Sequence, residues 1–383
     1  MPNSAPATNG LDDATRLPLR NGSSQAGQSR CDSDIHSSHS LDRRLGTVST
    51  LCRVDSAEPK TDIDILRGLK LQADALANLE LHPQIGTLIG FHLVVSGMHN
   101  VAAAARLCAL AGISREQMLP ALLRLQEVCC ESPFTRHITE WPRGYMGDFE
   151  VITQICEQRN RAKRGTLAYW IEEYSLVTGS AQQHRNKVAR QGAEIVRCAK
   201  ERAVAGAVGR IAVIACGASP DLQLVQNELA ALPVRLLLLD SDPNALEASQ
   251  HALPALAGKL EVICGNVLAK VRTLTRQDSF DLIVAGGLFD YLEDQAACFL
   301  IRAVCSRLLS PHGSFFFTNL CPDNPFGDWT QYVADWKIIS RDEHAIAKLL
   351  EEGDVSSDHD VICERDRTGL AMFVTIRRPR IEE

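Results

Sequence analysis

Residues 142–148, PRGYMGD, bring an arginine, a tyrosine and an aspartate into one short stretch. Arg143 suits a bidentate clamp on a carboxylate, Tyr145 can turn its ring to a cation, and Asp148 can hold an amine or serve as a base. Gly144 and Gly147 loosen the backbone between them. The plain alternative is a structured turn in which Arg143 pairs with Asp148. Downstream, IEEYSL and QQHRNKV add Tyr174, His184, Arg185 and Asn186. His184 has the titration range of a general base, against the alternative of a surface histidine. Helical neighbours lie about 100° apart, so His184, Arg185 and Asn186 do not all face one cleft.

A second set of residues lies further along the chain. IAVIACGASPDL (211–222) reads as a strand entering a helix through a tight turn. In a parallel sheet such a turn borders the ligand site beyond the strand ends. Gly217 can bend the chain, and Ala215 and Ser219 are small enough for a ligand to pass closely. VRLLLLDSDPNAL ends an apolar run at Asp240, placed to accept hydrogen bonds from both hydroxyls of a ribose. Asp242, before Pro243, suits a helix N-cap instead. In CGNV, Asn266 either reads an adenine edge or sits in a turn. FDLIVAGGLFDYL supplies Gly286 and Gly287 for close approach, then Phe289 and Tyr291 as aromatic walls. Asp281 opens that strand at the far end and reads as structural. Asn319 and Asn324 flank the end of the next strand, and Tyr332 and Trp336 read as one core-facing helical side.

The elements that must position these groups follow from apolar spacing. Residues from about 60 to 205 have helical periodicity, with a capping-box pattern at Ser114–Gln117. EVITQI is the one strand-like stretch there. From about 208, strands over Arg210–Ile214, Val234–Leu239, Leu260–Cys264, Phe280–Ala285 and Ser314–Asn319 alternate with helices. That alternation predicts an α/β fold with a parallel, doubly wound sheet. DVICERDRTGLAMFVTIRR adds an antiparallel edge hairpin. Residues 1–58 lack apolar periodicity and are expected to be a disordered tail. The expected organisation is this tail, a helical cap or substrate domain over 59–205, and a ligand-binding α/β domain over 206–383.

The chain has 383 residues, 45% hydrophobic and 23% charged, with a net charge of −7. That balance argues against nucleic acid, which needs clustered Lys and Arg; RNRAKRG (159–165) reads as a solvated helix end. The 13 cysteines are scattered without a CxxC pair, which points to reduced, buried thiols and no metal site. No apolar run is read as approaching the roughly 18 residues of a membrane span. The N-terminus does not read as a secretory signal. The expectation is a cytoplasmic protein whose partner is a small molecule, with homo-oligomerisation left open.

In this order the loop, the acidic strand end, GNV, FDLIVAGGLFDYL and LLSPHGSFFFTN resemble the class I S-adenosylmethionine-dependent methyltransferases over about 208–378. Two departures stand out: Val213 replaces a frequent acidic residue, and Ala215 and Ser219 replace glycines. A nicotinamide-binding domain is disfavoured by the lack of GxGxxG. WPRGYMGDFEVI, QQHRNKV and NPFGDWTQYVADWKIISRDE are similar to a bacterial subgroup with an N-terminal helical domain. That subgroup includes proteins linked to 3-hydroxy fatty acid methyl esters and S-adenosylmethionine-cyclising azetidine-2-carboxylate synthases. The resemblance implies a Rossmann-like sheet of seven strands, the last antiparallel, under an N-terminal all-α domain. It implies S-adenosyl-L-methionine as donor or substrate, held by Arg143, Ala215, Gly217, Asp240, Asn266, Gly286 and Phe289. Tyr145, Asp148, Tyr174 and His184 are the expected catalytic residues. The expected reaction is methyl transfer to O or N of a small acceptor in secondary metabolism. Cyclisation with release of methylthioadenosine and a non-catalytic scaffold are the alternatives.

Overall fold

The computed structural model describes residues 61–80, 87–274 and 279–378; the tail expected over 1–58 lies outside them. Among the described residues the helices α1 (Asp62–Ala77), α2 (Thr87–Leu110), α3 (Arg115–Cys129), α4 (Pro133–Glu140), α5 (Phe149–Glu157), α6 (Leu167–Val177) and α7 (Gly179–Val204) come first. Thr61 and Ser114 start α1 and α3 through complete capping boxes. Leu69, Leu76, Val101, Leu122, Leu125 and Ile171 join α1, α2, α3 and α6 in one apolar core.

Two expectations about the helical half are corrected. EVITQI is helical: the Asp148 carboxylate accepts from the Glu150 and Val151 N–H groups, and Val151, Gln154 and Ile155 fall on one buried face of α5. Spacing by three and four with an N-cap outweighs the β-branched residue types. Within α2, Leu88–Leu110 has a mean hydropathy of 1.4 over 23 residues, long and apolar enough by composition to cross a membrane. Its Val94, Met98, Val101, Ala105 and Cys108 are packed in the helical core, while Leu88, Ile89, Leu107 and Leu110 are exposed.

The second half is one sheet of β1 (Gly209–Ile214), β2 (Val234–Asp240), β3 (Leu260–Cys264), β4 (Phe280–Ala285), β5 (Leu309–Leu320), β6 (Asp360–Arg365) and β7 (Ala371–Arg377). Its order is β3-β2-β1-β4-β5-β7-β6. β1 to β5 run parallel, and β7 is antiparallel to both β5 and β6. The hairpin therefore forms, with β7 inside the sheet and β6 alone at the edge. Helices α8 (Pro220–Ala230), α9 (Pro243–Ala252), α10 (Val267–Leu274), α11 (Asp294–Ala303) and α12 (Glu343–Glu352) complete the layers.

Apolar side chains fill both faces of the sheet. Leu237, Ile283, Phe315 and Phe317 pack under α10–α12, while Val213, Leu238 and Phe316 pack under α7 and α8. Each fully buried phenylalanine contributes about 1.5–3 kcal/mol relative to exposure. α7 lays Ile195, Cys198 and Ala199 on this second face, so the last helix of the helical half is also a wall of the sheet. Burial pushes the Cys198 thiol up to about 12, which keeps it protonated and unreactive. Strand order reverses between β1 and β4, opening a crevice at their C-terminal ends.

Candidate active site

Beyond β1 the chain turns through Ala215 to Ser219. Ala215, Gly217 and Ser219 all adopt left-handed backbone, at φ 51°, 53° and 51°. Gly217 does so freely, whereas a residue with a Cβ does so at about 1–2 kcal/mol. Hydrogen bonds hold the path: Gly217 N–H donates to Asp240 Oδ2 (2.8 Å), and the Ser249 hydroxyl donates to the Gly217 carbonyl (2.8 Å). Ser249 also pairs with the Ser219 hydroxyl at 2.9 Å. The two absent glycines thus alter residue types while the backbone still follows a glycine-like course.

This turn floors a cleft of about 500 Å³ that Ala215, Gly217, Asp240, Gly286, Tyr145 and His184 help to line. Ligand pockets commonly measure about 300–1,000 Å³. Asp240 is buried and takes one backbone N–H on each carboxylate oxygen, from Gly217 and Asp242. Each oxygen keeps a lone pair for a ligand hydroxyl. Asp242 caps α9 as expected, accepting from Asn244 N–H.

The PRGYMGD stretch folds over the cleft mouth. Arg143 binds Asp242 Oδ2 at 3.1 Å and also Glu150, with its guanidinium 4.3 Å from the Phe149 ring centre. The Tyr145 hydroxyl donates to the same Asp242 oxygen at 3.0 Å. Burial works to raise the Asp242 pKa, but the Asn244 N–H, the Tyr145 hydroxyl and Arg143 outweigh it and hold the carboxyl below its ordinary value. At Gly147, φ is 62° and a Cβ would collide with the Tyr291 hydroxyl and the Trp336 indole, so the stretch needs glycine there. Arg143 therefore latches to β2's exit rather than pairing with Asp148. Asp148 is buried as the α5 cap and bonded to His137 Nε2 at 2.7 Å, a positioning role outside the cleft lining.

One face of α7 supplies the opposite wall through His184, Lys187, Val188 and Gln191, spaced by three, one and three residues. Lys187 is committed to Asp290 at 2.7 Å, both nearly fully buried. His184 lies parallel to Trp336, with ring centres 5.8 Å apart and planes at 15°. The Trp336 indole N–H donates to the Tyr291 hydroxyl at 2.9 Å. Burial first, then Lys187 and Arg185, push the His184 pKa well below its ordinary value. Its imidazole is therefore neutral near pH 7, and no group among the described residues hydrogen-bonds it.

His184 and Trp336 also line a second, apolar chamber of about 70 Å³, with Phe134, Ile138, Phe326 and Trp329. Tyr174 belongs to this chamber and not to the cleft, its hydroxyl hydrogen-bonded to His99 Nε2 at 2.5 Å. Two other anticipated contacts are corrected. Phe289 is fully buried, stacked on Phe317 with ring centres 4.1 Å apart, because the short turn after β4 points it into the core. Tyr291, two residues on, faces the cleft instead. Asn266 lies outside the cleft lining, its Oδ1 accepting the Ala269 N–H at the start of α10. Asp281 is structural as expected, accepting from Arg210 N–H and the Ser310 hydroxyl. Lys187, Gln191, Asp221 and Trp336 went unnoticed in the sequence as cleft or chamber residues.

No family model matches the chain, and no curated protein is significantly similar to it. Among solved structures it is similar to a possible exported protein from Bordetella parapertussis, at 17% identity over 84% of this chain and 97% of that one, with a TM-score of 0.44. An O-methyltransferase family protein from Burkholderia thailandensis aligns at 16% identity over 55% and 63% of the two chains, with a TM-score of 0.39. N-methyltransferase NodS from Bradyrhizobium japonicum, in complex with S-adenosyl-L-homocysteine, aligns at 15% over 50% and 87%, with a TM-score of 0.34. At such distances the chain's own strand order carries the assignment. Seven strands in the order β3-β2-β1-β4-β5-β7-β6, with β7 antiparallel, make this the class I methyltransferase fold.

Proposed function

We propose that the chain is an S-adenosylmethionine-dependent methyltransferase acting on O or N of a small acceptor with an apolar body. The single observation that carries this reading is that His184 borders both the large cleft and the apolar chamber. The cleft suits an adenosine with an amino acid tail. Asp240 retains acceptor capacity for ribose hydroxyls, and the left-handed turn at Gly217 exposes backbone to a close ligand. Bound there, S-adenosylmethionine supplies an electrophilic methyl group.

The protein's residues provide positioning, dryness and a proton acceptor. Arg143 and Tyr145, latched to Asp242, hold the 142–148 stretch over the cleft and exclude water. The apolar chamber, about half of the roughly 150 Å³ that holds benzene, takes the reacting end of the acceptor. In-line placement of that end is worth most of the rate. His184, neutral and unengaged, takes the proton from an acceptor hydroxyl or amine.

Cyclisation of S-adenosylmethionine needs no second chamber, so methyl transfer is preferred here over the azetidine-forming reaction. The test is purified protein with S-adenosylmethionine alone and with a panel of apolar alcohols, acids and amines, followed by mass spectrometry. S-adenosylhomocysteine formed only when an acceptor is present supports methyl transfer. Methylthioadenosine formed without an acceptor overturns it in favour of cyclisation. Calorimetry without any S-adenosylmethionine binding overturns both.

A further inference from the structure

The cleft lining includes one buried carboxylate with an oxygen that no group among the described residues hydrogen-bonds. Asp221, in the first turn of α8, is 3% exposed and lines the cleft beside Val213, Ile152 and Val188. Its Oδ1 accepts the Leu222 N–H at 2.9 Å, while its buried Oδ2 has no hydrogen-bond partner among the described residues. The nearby cations are all engaged elsewhere. Lys187 is bonded to Asp290, Arg143 to Glu150 and Asp242, and Arg185 to the carbonyls of Ile155 and Leu176. An orphaned, desolvated carboxylate oxygen beside apolar side chains is costly to the ligand-free fold. A ligand cation placed against it recovers that cost.

We infer that Asp221 receives the α-ammonium group of the cofactor's amino acid end, an inference that rests on the methyltransferase reading above. The chemistry fits the surroundings. Asp221 follows the Gly217 turn directly, so its carboxylate and the turn's backbone border the same part of the cleft. A primary ammonium brings three donors and a full charge, and Oδ2 is a buried acceptor with none. Val213, at the end of β1, contributes no charge, and the acceptor capacity Asp240 keeps beside its two backbone N–H groups is assigned above to the ribose hydroxyls. Burial pushes the Asp221 carboxyl up to about 6, so it is ionised for binding above that pH and is held more firmly ionised once an ammonium sits beside it.

The test measures binding by calorimetry at pH 8, with two probes: S-adenosylhomocysteine, and its deaminated analogue in which hydrogen replaces the α-ammonium. The wild-type protein is expected to bind the deaminated analogue about 10- to 100-fold more weakly. Asp221→Asn is expected to bind both equally, at the wild-type level for the analogue. A wild type that does not distinguish the probes, or an Asp221→Asn protein that keeps the preference, overturns the assignment of Asp221 while leaving the cofactor site standing. A wild type that binds neither probe overturns the cofactor reading and this inference together. The wild-type comparison stands by itself if the variant does not fold.

Discussion

Asp221→Asn should make the ligand-free protein more stable above neutral pH while impairing recognition of the cofactor's tail. The magnitude follows from the carboxyl's displacement from an ordinary 3.8 to about 6 in the folded chain. Burial raises the folded-state pKa above the unfolded one, so the folded protein holds its proton more tightly. Stability is then full below about pH 4, declines as pH rises through the interval between the two values, and stays reduced above about pH 6. A displacement of about two units corresponds to up to about 3 kcal/mol. Asparagine mimics the protonated carboxyl and keeps the oxygen that accepts the Leu222 N–H, though its amide N–H takes over the place of Oδ2. The expected gain at pH 8 is therefore smaller than the full value, about 1–2 kcal/mol, and vanishes or reverses near pH 4. Urea denaturation of both proteins from pH 4 to pH 8, at matched ionic strength and without ligand, measures it. A stability difference that does not change with pH would refute the reasoning, because only a titrating carboxylate gives the expected slope.

Other expectations rest on separate contacts. His184→Ala should lower kcat about 100-fold, read as the rate of S-adenosylhomocysteine release once an acceptor is found, while His184→Gln restores part of the Trp336 contact without restoring the rate. Tyr145→Phe removes the 3.0 Å bond to Asp242 and should cost about 1 kcal/mol of closure, seen as about fivefold weaker S-adenosylhomocysteine binding and faster hydrogen exchange over 142–148. Ala215→Gly relieves a left-handed residue at φ 51° and should leave the fold as stable or stabilise it by about 1 kcal/mol, measured by chemical denaturation.

The sheet was legible because parallel strands buried on both faces read as continuous apolar runs. Val234–Leu239 and Phe280–Ala285 are such runs, and both appear within a residue of the observed strands. Asp240 and Gly217 were legible for the same reason: each stands where an apolar run stops. The helical half was harder because function there depends on which face of a helix packs inward. His184, Lys187, Val188 and Gln191 form one wall only once Ile195 and Ala199 have settled α7 on the sheet. Trp336 was read as core, yet it contacts His184 and Tyr291 across 152 and 45 positions of sequence, a meeting no local pattern encodes. Phe289 and Tyr291 were alike as residue types, and only the turn after β4 separates one into the core and the other into the cleft. Asp221 carried no signal in the sequence, because its missing partner is a property of packing alone.

The internal position of β7 has a consequence for how the chain is made. β5 is finished at Leu320, but the strand that covers its free side is Ala371–Arg377. At about 5–20 residues per second on the ribosome, the edge carrying Phe315, Phe316 and Phe317 waits for several seconds before its neighbour is synthesised. Through that interval the nascent chain presents an unpaired apolar strand, the kind of surface that pairs with other chains. A ribosome that stalls or terminates before residue 371 releases a protein with its cleft strands in place and its sheet open. Production of this protein is therefore sensitive to the synthesis of Ala371–Arg377, far in sequence from the Gly217 turn and Asp240 at the cleft.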